Sequence, residues 1–208
     1  MKGLIIKEIL GLRQYLRVLG FLLLAYGAMA YIMRTTVFIP VVNAFLIMIC
    51  VLNSSNYDDN NRWEQFVLTL PVSKSDLVTS KYLFILLLCI ASTGITLVLS
   101  LSLSLLFPAS LTTILIASVA SAFAGLFLAS LSMPIIYRYG TEKARCILVI
   151  IIMVPTLLLR AFSDSLNKLC LPSAPVLVRI GSSAAAFVVV FALLSYGLSQ
   201  KLFAAREL

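Results

Sequence analysis

The sequence contains no histidine. That excludes zinc sites built on imidazole, and every acid–base or triad mechanism that turns on one. Charge is scarce as well: 12% of residues are Asp, Glu, Lys or Arg, where a soluble domain carries about 25%. No charge falls in the middle of any long apolar run. This argues against an ion- or proton-coupled transporter, whose coupling residues sit at that depth. No G-x-x-x-x-G-K-[ST] occurs, so the chain has no phosphate cradle and is not expected to hydrolyse ATP by itself. No G-x-S-x-G elbow occurs either. The four cysteines, Cys50, Cys89, Cys146 and Cys170, stand far apart without a C-x-x-C and read as free thiols acting as small hydrophobes. There is no internal repeat, low-complexity tract or linker, so residues 1–208 form a single membrane domain.

What remains is oil. The chain is 62% hydrophobic, with a mean hydropathy of +1.09. A soluble surface this apolar would aggregate, so the fold class is an all-α polytopic membrane protein. Segments of about 20 apolar residues run over 17–34, 36–53, 82–106, 111–136, 146–162 and 178–200, which predicts six transmembrane helices. The fifth is short and holds Pro155. Of the 16 Lys and Arg, only Arg34, Arg160, Lys168 and Arg179 fall on one side of this arrangement. The positive-inside rule then places both termini in the cytoplasm. The net charge of +8 is therefore topological. No basic cluster is interleaved with aromatics, so nucleic acid is not a partner. Ala28-Met29-Ala30 imitates a signal-peptide cleavage site, but the apolar run continues past it and the segment is read as a retained span.

Residues 1–17 place Leu4, Ile5, Ile9, Leu12 and Leu16 near helical spacing, with Lys2, Lys7, Glu8, Arg13 and Arg17 on the remaining faces. That pattern predicts a helix lying in the membrane interface. Between the fifth and sixth spans, residues 163–177 have room for one short outer helix that ends before Pro172.

Polar groups inside the spans are few. Ser92, Thr96, Ser100 and Ser104 recur every four residues on the third span. They either line a path or bond their own backbone. Asn43, at depth in the second span, needs a partner; interhelical glue and path lining are equal readings. Ala117, Ser121, Gly125 and Ala129 on the fourth span, and Ser182 with Ala186 on the sixth, are small-residue faces for close helix packing.

The cytoplasmic loop, residues 54–81, is the one long polar interruption. Asp58 or Asp59 is placed to cap a helix N-terminus. From there Trp63, Phe66, Val67 and Leu70 form one apolar stripe over about three turns. Arg62 and Glu64 lie on the other faces. Pro71 ends this helix. Ser73 opens a second, with Asp76 three residues on as a short capping box, and that helix runs through Lys81-Tyr82 into the third span. A dense-acid metal site at Asp58, Asp59, Glu64 and Asp76 is set aside in favour of a solvated helix face. Plain connection of two spans needs only a few residues; a two-helix lever fits force transfer.

Tyr57-Asp58-Asp59, Trp63, Leu70-Pro71-Val72-Ser73 and Ser80-Lys81-Tyr82 resemble the corresponding loop of ABC-2 type transporter permeases. Among these the chain is most similar to small six-span Gram-positive permeases of bacitracin-type resistance and phenol-soluble-modulin export. The resemblance implies a permease with no catalytic or metal site and no cofactor of its own, partnered by two copies of a separate ATPase that carries ATP and Mg. It implies a coupling helix over Asp58–Leu70, with Asp58, Asp59, Arg62, Trp63, Glu64, Phe66, Leu70 and Pro71 at or near the docking surface. The polar side around Asp59 and Arg62 is expected to dock, and Trp63 and Phe66 to anchor the helix to its own bundle. It also implies a second permease chain, the bacterial cytoplasmic membrane, and export of an amphipathic or hydrophobic cargo such as a peptide toxin or antimicrobial peptide, past Asn43, Ser92, Thr96 and Ser100. The alternative is a membrane immunity or scaffold protein that binds a toxic peptide without transport.

Overall fold

The computed structural model describes residues 2–13, 20, 25, 27–32, 38–67, 69, 73–104, 110–161 and 174–204. All regular structure among them is helical: α1 (Lys2–Arg13), α2 (Phe38–Asn60), α3 (Trp63–Val67), α4 (Lys74–Ser104), α5 (Leu111–Tyr139), α6 (Thr141–Ala161) and α7 (Ala174–Ala204). Among the described residues, four stretches are long and apolar enough to cross a membrane: Ile39–Asn60, Lys74–Ser104, Leu111–Tyr139 and Ser183–Ala204. The chain is thus a multi-pass membrane protein. Of the other two predicted spans, 17–34 lies largely outside the described residues. The span at 146–162 falls in α6, which opens on the polar run Thr141–Arg145. The predicted outer helix at 163–177 lies largely outside the described residues too; α7 takes up the chain at Ala174, four residues before the predicted start of the last span.

α5 is the centre of the bundle, packing on α2, α4, α6 and α7. Its small-residue face is the reason α2 comes close. Ile47 of α2 sits directly over Gly125, where an added Cβ would lie 2.4 Å from the Ile47 Cδ1. Ser121, one turn away on the same face, accepts a hydrogen bond from the Asn43 amide at 3.4 Å. An amide buried in apolar surroundings needs such a partner, and α5 supplies it.

α5 also holds Pro134, which removes the N–H that would bond the Ser130 carbonyl. The hydroxyl of Ser195, on α7, donates to that carbonyl instead. Ser195 and Ser199 in turn meet the Tyr82 hydroxyl of α4 at 2.7 and 2.9 Å. A proline in one helix is thereby answered by a polar seam through three helices, as membrane interiors require of any freed backbone group.

α4 has 31 residues, about 46 Å of helix against about 30 Å of hydrocarbon. The helix is longer than a span requires, and its charged residues gather in its first turns, Lys74–Lys81. At its start Asp76 N–H donates to Ser73 Oγ at 3.2 Å, and Ser73 N–H donates to Asp76 Oδ2 at 3.3 Å. This is the reciprocal cap that the S-x-x-D spacing predicts. The lever is one unbroken helix from Lys74 to Ser104. In a separate turn, Gly140 (φ 81°) alone joins α5 to α6, a backbone turn open to glycine at little cost.

Candidate functional site

The loop between α2 and α4 is built differently from the sequence expectation. α2 does not stop near residue 53. It continues through both acids to Asn60, because the polar residues 53–60 find partners on neighbouring helices. Asp58 and Asp59 therefore stand in the last turn of α2, not at the start of a docking helix. Carboxylates are unfavourable at the negative end of a helix dipole, so each must be compensated.

Asp59 is compensated by another helix. It accepts from the Thr141 backbone N–H at 3.3 Å and so caps the N-terminus of α6. Asn56 accepts from the Thr141 hydroxyl at 3.4 Å, and Asn53 accepts from Arg145 at 3.4 Å. The stripe Asn53, Asn56, Asp59 thus runs along α6.

Asp58 is compensated by charge. It is 4% exposed and is paired with Lys7 of α1 and Lys81 of α4. Glu8 of α1, also 4% exposed, pairs with Lys81 at 2.9 Å and with Lys7 at 3.2 Å. Ser54 of α2 donates to Glu8 and accepts from Lys81 at 3.0 Å. Two lysines and two carboxylates make a neutral cluster in which the acids are buried and the lysines partly so. Burial, the largest single influence, pushes the Glu8 carboxyl up. The charges of Lys81 and Lys7 and the Ser54 hydrogen bond together outweigh it, and Glu8 is held below its ordinary value. Beside the cluster a cavity of about 20 Å³ has room for one water.

This cluster corrects the reading of α1. The face that α1 turns to the bundle is Leu4, Lys7 and Glu8, while Leu10 is 59% exposed. The charges expected in solvent are inside. Sequence reasoning missed it by treating Lys7, Glu8 and Lys81 as boundary charges. Their one signal is spacing: Leu4, Lys7 and Glu8 share a helical face.

After Asn60 the chain turns at Asn61 and Arg62, with Arg62 in the left-handed region (φ 49°). α3 then has only five residues, Trp63–Val67, not three turns. Its stripe is split. Val67 is fully buried, and Trp63 packs on the core with its ring 4.7 Å from the Lys7 ammonium. Phe66, expected against the bundle, is 58% exposed. Arg62 and Asn61 are exposed with it. The Glu64 side chain, Leu70 and Pro71 lie outside the described residues. The structure therefore brings Asp58, Trp63 and Lys81 together in the interior, turns Asp59 to α6, and leaves Arg62 and Phe66 on the outside.

The hydroxyls of the third span are turned to their own helix. Ser92 and Thr96 donate to the carbonyls of Cys89 and Ser92, and Ser104 to that of Leu101. Ser100 is buried, and its hydroxyl has no hydrogen-bond partner among the described residues.

The sequence profile of the family described as ABC-2 family transporter protein matches residues 3–204. No curated protein and no solved structure matches the chain.

Proposed function

Since the chain belongs to the ABC-2 family of transporter proteins, we propose that it is the permease of an ATP-binding-cassette exporter whose ATPase is a separate chain docked on the loop between α2 and α4. The observation that carries this is the loop's construction. An exposed face with Arg62 and Phe66 follows directly on α2 and precedes the unbroken α4 in the chain. The absence of a phosphate cradle in the sequence leaves ATP and Mg to the partner and gives this chain no catalysis of its own.

Within this reading the docking face is Arg62 and Phe66, flanked by Asn60 and Asn61. Asp58, Asp59 and Trp63 stiffen it from behind. An exposed aromatic beside an arginine is the composition of an interface anchor. Two ATPases and a second permease chain complete the unit. It sits in the bacterial cytoplasmic membrane with both termini and the loop in the cytoplasm, as the Lys/Arg distribution favours. An amphipathic or hydrophobic cargo, such as a peptide toxin or antimicrobial peptide, suits a bundle with no charge at depth. The test is reconstitution with the ATPase encoded beside it. A stable complex with altered ATP hydrolysis is expected. An ATPase that neither binds the chain nor changes its turnover would remove the reading.

A further inference from the structure

Four charges from three helices meet in one cluster, and its α1 members, Lys7 and Glu8, reach both ends of the loop. Lys7 pairs with Asp58 at the last turn of α2 and lies under the Trp63 ring of α3. Glu8 pairs with Lys81 on the part of α4 that precedes its apolar stretch. A buried ion cluster is a poor source of stability, because desolvation offsets most of the attraction, and apolar side chains of similar volume often do as well. What it supplies is register. Apolar helix contacts tolerate sliding, whereas lysines and carboxylates held about 3 Å apart lose their pairing on a shift of about 1 Å.

We propose that Lys7 is a positioning residue for energy coupling: it pins the interfacial helix α1 to the docking loop, so that a displacement of α3 moves α1 and α4 together. The proposal rests on the docking reading above. Lys7 acts through Trp63 and Asp58 and does not touch the partner. α1 is then a second output of the loop, lying along the membrane surface, while α4 carries the motion through the bilayer.

The test uses the reconstituted complex with nitroxide labels at Leu10 of α1 or Ser75 of α4, each measured against Leu115 of α5. All three positions are exposed. Distances are compared between the nucleotide-free and ATP-trapped states. In the otherwise unaltered chain both labels shift. In Lys7→Met/Glu8→Gln, which leaves Asp58 and Lys81 as a neutral pair, the Ser75 shift persists and the Leu10 shift is lost. Lys7→Arg, which keeps both the charge and the stacking, retains the Leu10 shift. The proposal is overturned by an unchanged Leu10 shift in the double variant. A complex whose two labels never respond to nucleotide overturns the docking reading and this one with it.

Discussion

Lys81→Ala destabilises the folded chain by about 3–5 kcal/mol, the usual loss when one member of a buried ion pair is removed. The expectation follows from what stays behind. Glu8 and Asp58 are each 4% exposed and would share one partly buried lysine. Ser54 would lose its 3.0 Å donor as well. Thermal unfolding in detergent, read through the single tryptophan at position 63, measures this, since Trp63 lies against the cluster. The control is Lys81→Met with Glu8→Gln. That pair leaves Lys7 and Asp58 balanced, and most of the lost stability returns. If the double variant is as unstable as Lys81→Ala, the cluster contributes packing and not charge.

Gly125→Leu separates α2 from α5. The added Cβ alone would lie 2.4 Å from Ile47 Cδ1 and 3.3 Å from its Cβ, and Ile47 is itself 1% exposed. Overpacking of this kind costs about 1–3 kcal/mol, sometimes more. Here it also pulls Asn43 off Ser121, leaving a buried amide unpaired at about 1–3 kcal/mol further. The folded yield in detergent should fall sharply. Gly125→Ala tests the geometry more finely. It is destabilising alone and is rescued by Ile47→Ala, which vacates the volume the new methyl requires. A lack of rescue would mean that the two helices meet elsewhere.

The sequence made some features legible and hid others for a physical reason. Hydropathy marked out the four long apolar helices, and the S-x-x-D spacing marked the start of α4, because both are local properties of the chain. The small-residue face of α5 could be read as a packing face, but its partner, Ile47, could not. The fate of Asp58 and Asp59 was hidden altogether. Helix propensity and capping rules see acids ahead of an apolar stripe and start a helix there. The structure ends one there, because Lys7, Lys81 and the Thr141 amide, which lie 51, 23 and 82 residues away in the chain, compensate the charge. Phe66 was misplaced for a related reason. Phe66 still stacks beside Trp63, with ring centroids 5.7 Å apart, but α3 has only five residues and Phe66 lies on its outer edge, 58% exposed. Pro134 shows the same limit: its presence is plain in the sequence, and its remedy, the Ser195 hydroxyl, lies on another helix.

The central claim is that the exposed side of this loop is where an ABC ATPase attaches. The most direct measurement replaces Phe66 with a photoreactive benzophenone residue, and Val119 on the exposed flank of α5 in a second sample, and irradiates the assembled complex. The account predicts a cross-link from position 66 to the ATPase and none from position 119. An intact complex that gives no cross-link at 66 would contradict it.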